Sequence, residues 1–460
     1  MTQDQSRSLD RALTLVPAAA LIIASVVGTG VFVKARVMTC NVGTPDMVLL
    51  VWFVAGLLSL AGALVYAELG SMMPRPGGEF HFLRAAFGSR LAFLFGWTKI
   101  LSQGASAAAV SILCIVFFND LLGGTLPDLA LYLLPLGLIV IGTIINLLTM
   151  RFNGHAATLL TMFKLGLVLL VGFGAYLLAD GDWGHYAMSG ADGSCEGVPE
   201  SARLGIGGFG AAMLGALWGY NGWSIISAVG GEIRDPARII PRALIGGTAL
   251  IVVLYLLANS AYFYVLTPTE VASVGEDTSV AYAAASRFLG PEVAAFMSIC
   301  LMISAYGTLH ATLLSGPRVP YTMAKSNLLP EGFARLNTLR VPAVAVVGIG
   351  LWAMVLAASG TFDILTDIYV FVLWVFYALT GAAVIVLRRR FPDAERPYRT
   401  LGYPVVPVVF ILVSAFLLIN TLMVTPGRAL AGIALIVVGL PVYQYFAREL
   451  KAQHLPPGQF

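Results

Sequence analysis

"LIIASVVGTGVFVKA", residues 21–35, is the stretch on which the fold turns. It belongs to an apolar run, residues 13–33, that carries no charge. A helix needs about 20 such residues to cross a bilayer. Yet Gly28, Thr29 and Gly30 interrupt the run. A glycine weakens a helix by about 1 kcal/mol relative to alanine. Taken alone, the interruption reads as a site of close helix packing, a common use of glycine in membrane helices.

The rest of the chain is built from similar runs. Of its 460 residues, 58% are hydrophobic and 11% charged, against about a quarter charged in a soluble domain. Mean hydropathy is +0.86. Lipid offers no partners for backbone polar groups, so they must be paired inside helices. The expected class is an all-α integral membrane protein. The first run is too long for a secretion signal and lacks a small-residue cleavage site, so it is read as a span. Twelve spans are expected, over 13–34, 46–69, 90–118, 128–149, 156–179, 205–229, 243–266, 292–315, 341–359, 363–387, 404–425 and 428–447. No soluble module flanks them, so 1–460 is read as one transmembrane domain. The net charge is +3, with no basic run interleaved with aromatics, and no nucleic-acid partner is expected.

Lys and Arg set the orientation. With the N-terminus inside, the cytoplasmic segments hold twenty of the 27 Lys and Arg, and the outer segments hold five: Lys34, Arg36, Arg203, Arg287 and Arg428. Both termini are therefore expected in the cytoplasm. Cys40 and Cys195 fall on the outer side, where a disulfide is open to them; two free thiols are the expectation. No C-x-x-C or other metal spacing exists, and neither metal nor cofactor is expected.

Enzyme signatures are missing. There is no H-E-x-x-H, G-x-S-x-G or Walker loop. No Asp or Glu is expected deep in a span; Glu68 and Glu232 fall at cytoplasmic ends. Intramembrane enzymes need acid–base or metal-binding groups at depth.

The sixth span, "GALWGYNGWSIISAVGGE" (215–232), carries a second interruption at Gly219, Tyr220, Asn221 and Gly222. Two broken spans in matching positions of two halves are the best sequence pointer to a transporter site. Spans one and six lie five apart. An odd number of spans per half forces the second half to be inverted. The expected architecture is a 5+5 inverted repeat, 13–179 and 205–387, with helices 1 and 6 broken, plus two additional helices over 404–447. An unwound segment frees N–H and C=O groups, which must line a cavity. Half-helix N-termini favour a carboxylate and C-terminal ends a cation. An α-amino acid offers one of each. Trp218 and Tyr220 flank the break and are candidates to cover a ligand, or to pack helices.

Lys164 lies in "LLTMFKLGLVLL", with about two apolar turns on each side. A charged Lys at a helix centre costs about 2.5–3.5 kcal/mol on insertion scales, so it is a functional candidate by default. It either takes part in coupling or is held by carbonyls of the broken helices. Lys99 is a weaker candidate, and His310 reads as a packed histidine.

Four stretches look familiar: "VVGTGVF" in span one, "VYAELGSMMPRPGGEFHFLRAAFG" at 65–88, "WGYNGW" followed by "GGEIRDPARIIPRAL" at 230–244, and "ERPYRTLGYPVVP" at 395–407. They resemble the amino acid–polyamine–organocation (APC) superfamily and, within it, the L-type amino acid transporters, the branch of the light subunits of heteromeric transporters. The resemblance runs over about residues 13–425. It implies a leucine-transporter-like fold. It implies that residues 27–30 (Val27, Gly28, Thr29, Gly30) receive the substrate carboxylate, and that carbonyls around Ile23 and Leu217 receive the amine. It also implies that Trp218 is a gate, and that Lys164 stands in for a sodium ion between spans one and eight.

The loop "NDLLGGTLPD" (119–128) lacks the cysteine that joins eukaryotic light subunits to a heavy chain. No covalently linked heavy subunit is expected, and the chain is read as a monomer or homodimer in the inner membrane of a bacterium. Asn221 and Ser224 are neutral and no deep acid is expected, so neutral amino acids are favoured over cationic ones. The expected function is sodium-independent exchange of neutral L-amino acids. Proton symport, with Lys164 releasing its proton, is the alternative. A non-transporting sensor is disfavoured by the short C-terminal tail.

Overall fold

The computed structural model describes residues 13–452, apart from Thr29, Pro76, Thr149, Ala191, Glu276, Asp277, Arg340, Gly360 and Thr361. Among the described residues the regular structure is helical, and the β-type pairing is one bridge between Leu13 and Ile233.

The first apolar run forms two helices, α1 (Leu15–Val26) and α2 (Gly30–Val42). Next come α3 (Pro45–Met72), α4 (Glu79–Phe87), α5 (Ser89–Leu121), α6 (Asp128–Asn146) and α7 (Met150–Leu178). The sixth expected span gives α8 (Gly205–Gly219) and a single turn, α9 (Ile225–Ala228). It is followed by α10 (Pro236–Val265), α11 (Pro268–Ala272), α12 (Val280–Leu289), α13 (Pro291–Ser315) and α14 (Arg318–Lys325). The last five are α15 (Ala343–Ala357), α16 (Phe362–Arg390), α17 (Val405–Val424), α18 (Pro426–Val437) and α19 (Gly439–Ala452).

Several ends follow simple rules. α3 and α10 open with proline in the first turn, where no N–H partner is lost. α16 closes with Arg388, Arg389 and Arg390, which suit the negative end of its dipole. Eight helical stretches among the described residues are long and apolar enough to cross a membrane. Met162–Leu178, Gly205–Gly219 and Ala343–Ala357 are shorter apolar helices. α5 runs through the centre with most of its residues buried, whereas α6 shows Tyr132, Ile141 and Ile144 on its outer face.

Two expectations need correction, and one segment between expected spans takes a form of its own. The first span does not end near residue 34. α2 runs on to Val42 with Lys34 and Arg36 almost wholly buried. Lys34 donates to the Thr366 hydroxyl (3.0 Å) and Arg36 to the Glu196 carbonyl (2.8 Å). Buried cations are tolerated when oxygens meet them.

The segment after α3 is not a plain loop. It turns at Gly78, with φ +42°, and folds inward as α4, burying Phe80, Phe82 and Leu83.

Cys40 and Cys195 are not free thiols but a disulfide. The outer loop lies along the end of α2. Gly190 donates its N–H to the Gly43 carbonyl, Leu204 its N–H to the Asn41 carbonyl (both 2.7 Å), and Asn41 donates to the Ala202 carbonyl (2.6 Å). These contacts bring the two Cα atoms to 5.6 Å. The two cysteines are 155 positions apart, and the sequence between them carries no trace of that docking. Cys114 and Cys300 are free and buried.

Candidate substrate-binding cavity

The two interruptions meet. A Cβ on Gly30 would stand 2.8 Å from the Gly219 Cα and 3.0 Å from the Trp218 ring. Gly222 has φ +124°, and a Cβ there would stand 2.6 Å from the Ser25 carbonyl oxygen. Only glycine lets these backbones approach so closely. The carbonyls freed at the breaks find a partner on α10. The Tyr255 hydroxyl is shared between the Val26 carbonyl (2.8 Å) and the Gly219 carbonyl (2.9 Å). This satisfies backbone groups that lipid cannot.

Between the breaks lies a cavity of about 100 Å³. Gly28, Gly30, Trp218, Gly219 and Asn221 line it, as do Gln103 from α5, Thr308 from α13 and Tyr369 from α16. Asn221 donates to the Tyr369 hydroxyl (2.7 Å) and accepts from the Tyr377 hydroxyl (3.2 Å). Tyr369 also meets Trp218 edge to face, with ring centroids 5.3 Å apart.

Not every expected site residue reaches the cavity. Ile23, Val27 and Leu217 are buried away from the lining. The Ile23 carbonyl accepts the Val27 N–H (2.8 Å). Tyr220 turns outward; its hydroxyl donates to the Trp52 carbonyl (3.1 Å) and its ring packs on Trp52 and Tyr255. Thr29 lies outside the described residues. Lys164 stands one side chain behind the wall. Its ammonium donates to the Thr308 hydroxyl at 2.8 Å, and that hydroxyl lies 3.3 Å from where a Gly28 Cβ would sit. One side chain thus joins α7, α13 and the first break.

The expectation that no acid lies at depth is overturned. Glu79, at the start of α4, is buried and lines the cavity. It was hidden because "PRPGGEF" reads as a polar loop; only the Gly-Gly turn before an amphipathic stretch hinted at a re-entrant helix. Lys99 lines the same cavity. Gln103, Thr308 and Tyr369 had no sequence signal, because a polar residue in an apolar helix does not say which way it points.

A polar cavity between two unwound helix segments, inside a bundle of apolar helices, defines a membrane transporter of small solutes. The chain belongs to the amino acid permease family, whose profile matches residues 13–443. It falls in the APC superfamily, on its L-type branch. It is 29% identical to the serine/threonine exchanger SteT of Bacillus subtilis, over 97% of this chain and 99% of that one. It is 29% identical to the rat b(0,+)-type amino acid transporter 1, over 97% and 90%. It is 28% identical to the rabbit large neutral amino acids transporter small subunit 2, over 95% and 80%. The chain is therefore a multi-pass membrane protein that transports amino acids, and not an enzyme.

Proposed function

We propose that the protein is a sodium-independent exchanger of neutral L-amino acids that works by alternating access. The observation that carries this reading is the meeting of both helix breaks at one polar cavity, with Lys164 bonded to its wall. In this reading the first break, at Gly28 and at Gly30 where α2 opens, receives the α-carboxylate, as helix N-termini do for anions. Carbonyls of the α1 and α8 ends that border the cavity, at Val26 and Gly219 rather than at Ile23 and Leu217, receive the amine. Trp218 covers the ligand. Lys164, bonded to Thr308, takes the place of a sodium ion between the first break and α13.

The packing supports an inverted repeat of 13–179 on 205–387. α2 packs on α8, α3 on α10, α5 on α13 and α6 on α15. Each of the first four expected spans thus touches the span five places later. Exchange is favoured by the likeness, over nearly the whole chain, to the serine/threonine exchanger SteT. Neutral substrates now rest on a different argument from the one the sequence offered. Glu79 brings a negative charge to the cavity, but Lys99 brings a positive one. The lack of a light-subunit cysteine in 119–128 favours a chain that works without a covalently joined heavy subunit. The Lys and Arg distribution favours cytoplasmic termini in a cell membrane.

Reconstitution in proteoliposomes tests the reading. Uptake should require amino acid inside the vesicles and should be unchanged when potassium replaces sodium. Uptake into empty vesicles driven by a pH gradient would replace exchange with proton symport.

A further inference from the structure

We infer that Glu79 and Lys99 form a charge-balanced subsite for the substrate side chain, and that their balance decides which charge class of amino acid is carried. The inference rests on the amino acid transport reading above and adds the substrate class: small neutral amino acids with a hydroxyl or amide group.

Both residues line the cavity that holds the two helix breaks. They reach it from different elements, Glu79 from the re-entrant α4 and Lys99 from α5. Among the described residues no direct ion pair joins them, and the Lys99 ammonium has no hydrogen-bond partner. A pair that served only to hold helices together would be expected to close into contact. Here the two charges are left facing a shared space.

Glu79 is held in place. The Tyr66 hydroxyl donates to it (3.3 Å), and Tyr66 is locked edge to face against Phe82, Trp223 and Tyr377. Ser224 stands beside it and bonds Tyr377, which bonds Asn221 at the second break. The subsite is therefore mechanically continuous with the segment assigned to the α-amine. A carboxylate has lone pairs left for a ligand donor, and an ammonium has protons left for a ligand acceptor. A hydroxyl or amide side chain satisfies both. A basic side chain meets Lys99 and an acidic one meets Glu79, so each charged class is rejected by one member of the pair. Rejection by like charge is a standard route to specificity.

The test is a competition panel against tritiated L-serine, by binding to the purified protein and by uptake in proteoliposomes. Wild type should be displaced by serine, threonine and asparagine, and at least tenfold less well by arginine or glutamate. Glu79→Gln leaves Lys99 unmatched and should improve competition by glutamate at least tenfold. Lys99→Gln should do the same for arginine. The double variant should return to a neutral profile. A wild type that binds arginine or glutamate as well as serine overturns the inference without any variant. So do single variants that bind serine but keep the neutral profile. Variants that bind nothing singly yet recover in the double would assign the pair to folding or gating instead. Failure of serine to bind under any condition, in a protein that still shows exchange of another amino acid, would refute the substrate class and leave exchange standing. Binding without trans-stimulated uptake would refute exchange and leave the subsite standing.

Discussion

Gly30 and Gly219 pack backbone on backbone. A Cβ on Gly30 would stand 2.8 Å from the Gly219 Cα, closer than real side chains come. The neighbour is main chain and cannot swing aside. The first turn of α2 is thereby keyed to the last turn of α8.

Substitution at Gly30 should therefore separate binding from folding. Overpacking of this kind costs about 1–3 kcal/mol. Gly30→Leu should still insert and run as a single species on size exclusion, while amino acid binding falls at least a hundredfold. Gly30→Ala should fall between this and wild type. A Gly30→Leu protein that transports normally refutes the clamp.

Lys164 and Thr308 should behave as one unit. A hydrogen bond to a charged group is worth about 1.5–3 kcal/mol, or roughly ten- to a hundredfold in a rate or affinity. Lys164→Ala and Thr308→Val should each slow exchange by about that factor, and the double variant should be little worse than either. Thr308→Ser keeps the hydroxyl and should retain most activity. Initial rates of counterflow measure all four.

A buried ion cluster at one end of the bundle should matter for stability, not selectivity. Arg388 grips Glu68 with two bonds (2.8 and 2.7 Å), the Thr400 N–H adds a third (2.7 Å), and Arg396 lies 3.5 Å away. Removing one partner of a buried pair costs about 3–5 kcal/mol. Glu68→Ala should lower the melting temperature in detergent by several degrees. Glu68→Met combined with Arg388→Met should recover part of the loss, with the competition profile unchanged.

The Cys40–Cys195 bridge makes a non-additive prediction. A native disulfide contributes about 2–4 kcal/mol. Cys40→Ser, Cys195→Ser and the double variant should lose the same amount of thermal stability, because each removes the same bond. A double variant clearly worse than both singles would mean the two sulfurs act separately.

The glycine breaks were legible because Gly28, Gly30, Gly219 and Gly222 disturb a pattern that lipid otherwise keeps uniform. Lys164 was legible for the same reason: one charge against an apolar background. Glu79 was not, because a re-entrant helix looks like a polar loop until tertiary packing folds it inward. Lys34 and Arg36 misled in the opposite sense. Their charges suggested the end of a span, yet Thr366 and the Glu196 carbonyl draw them inside. Tyr255, which satisfies both broken ends, sits in an ordinary apolar run, and only the third dimension shows what it touches. The disulfide partner was hidden by its distance along the chain.

That disulfide also speaks about sidedness. Thiols near a reducing cytosol stay apart, while bridges persist where the compartment is oxidising. Cys40 and Cys195 sit at the end of α2 and on the 180–204 loop. The face they share is the one that the Lys and Arg count leaves poorest in positive charge. Redox chemistry and charge bias are independent clocks set by different features of the cell, and here they point the same way. A thiol-reactive dye that cannot cross the membrane should label this pair in intact cells only after an equally impermeant reductant has been added.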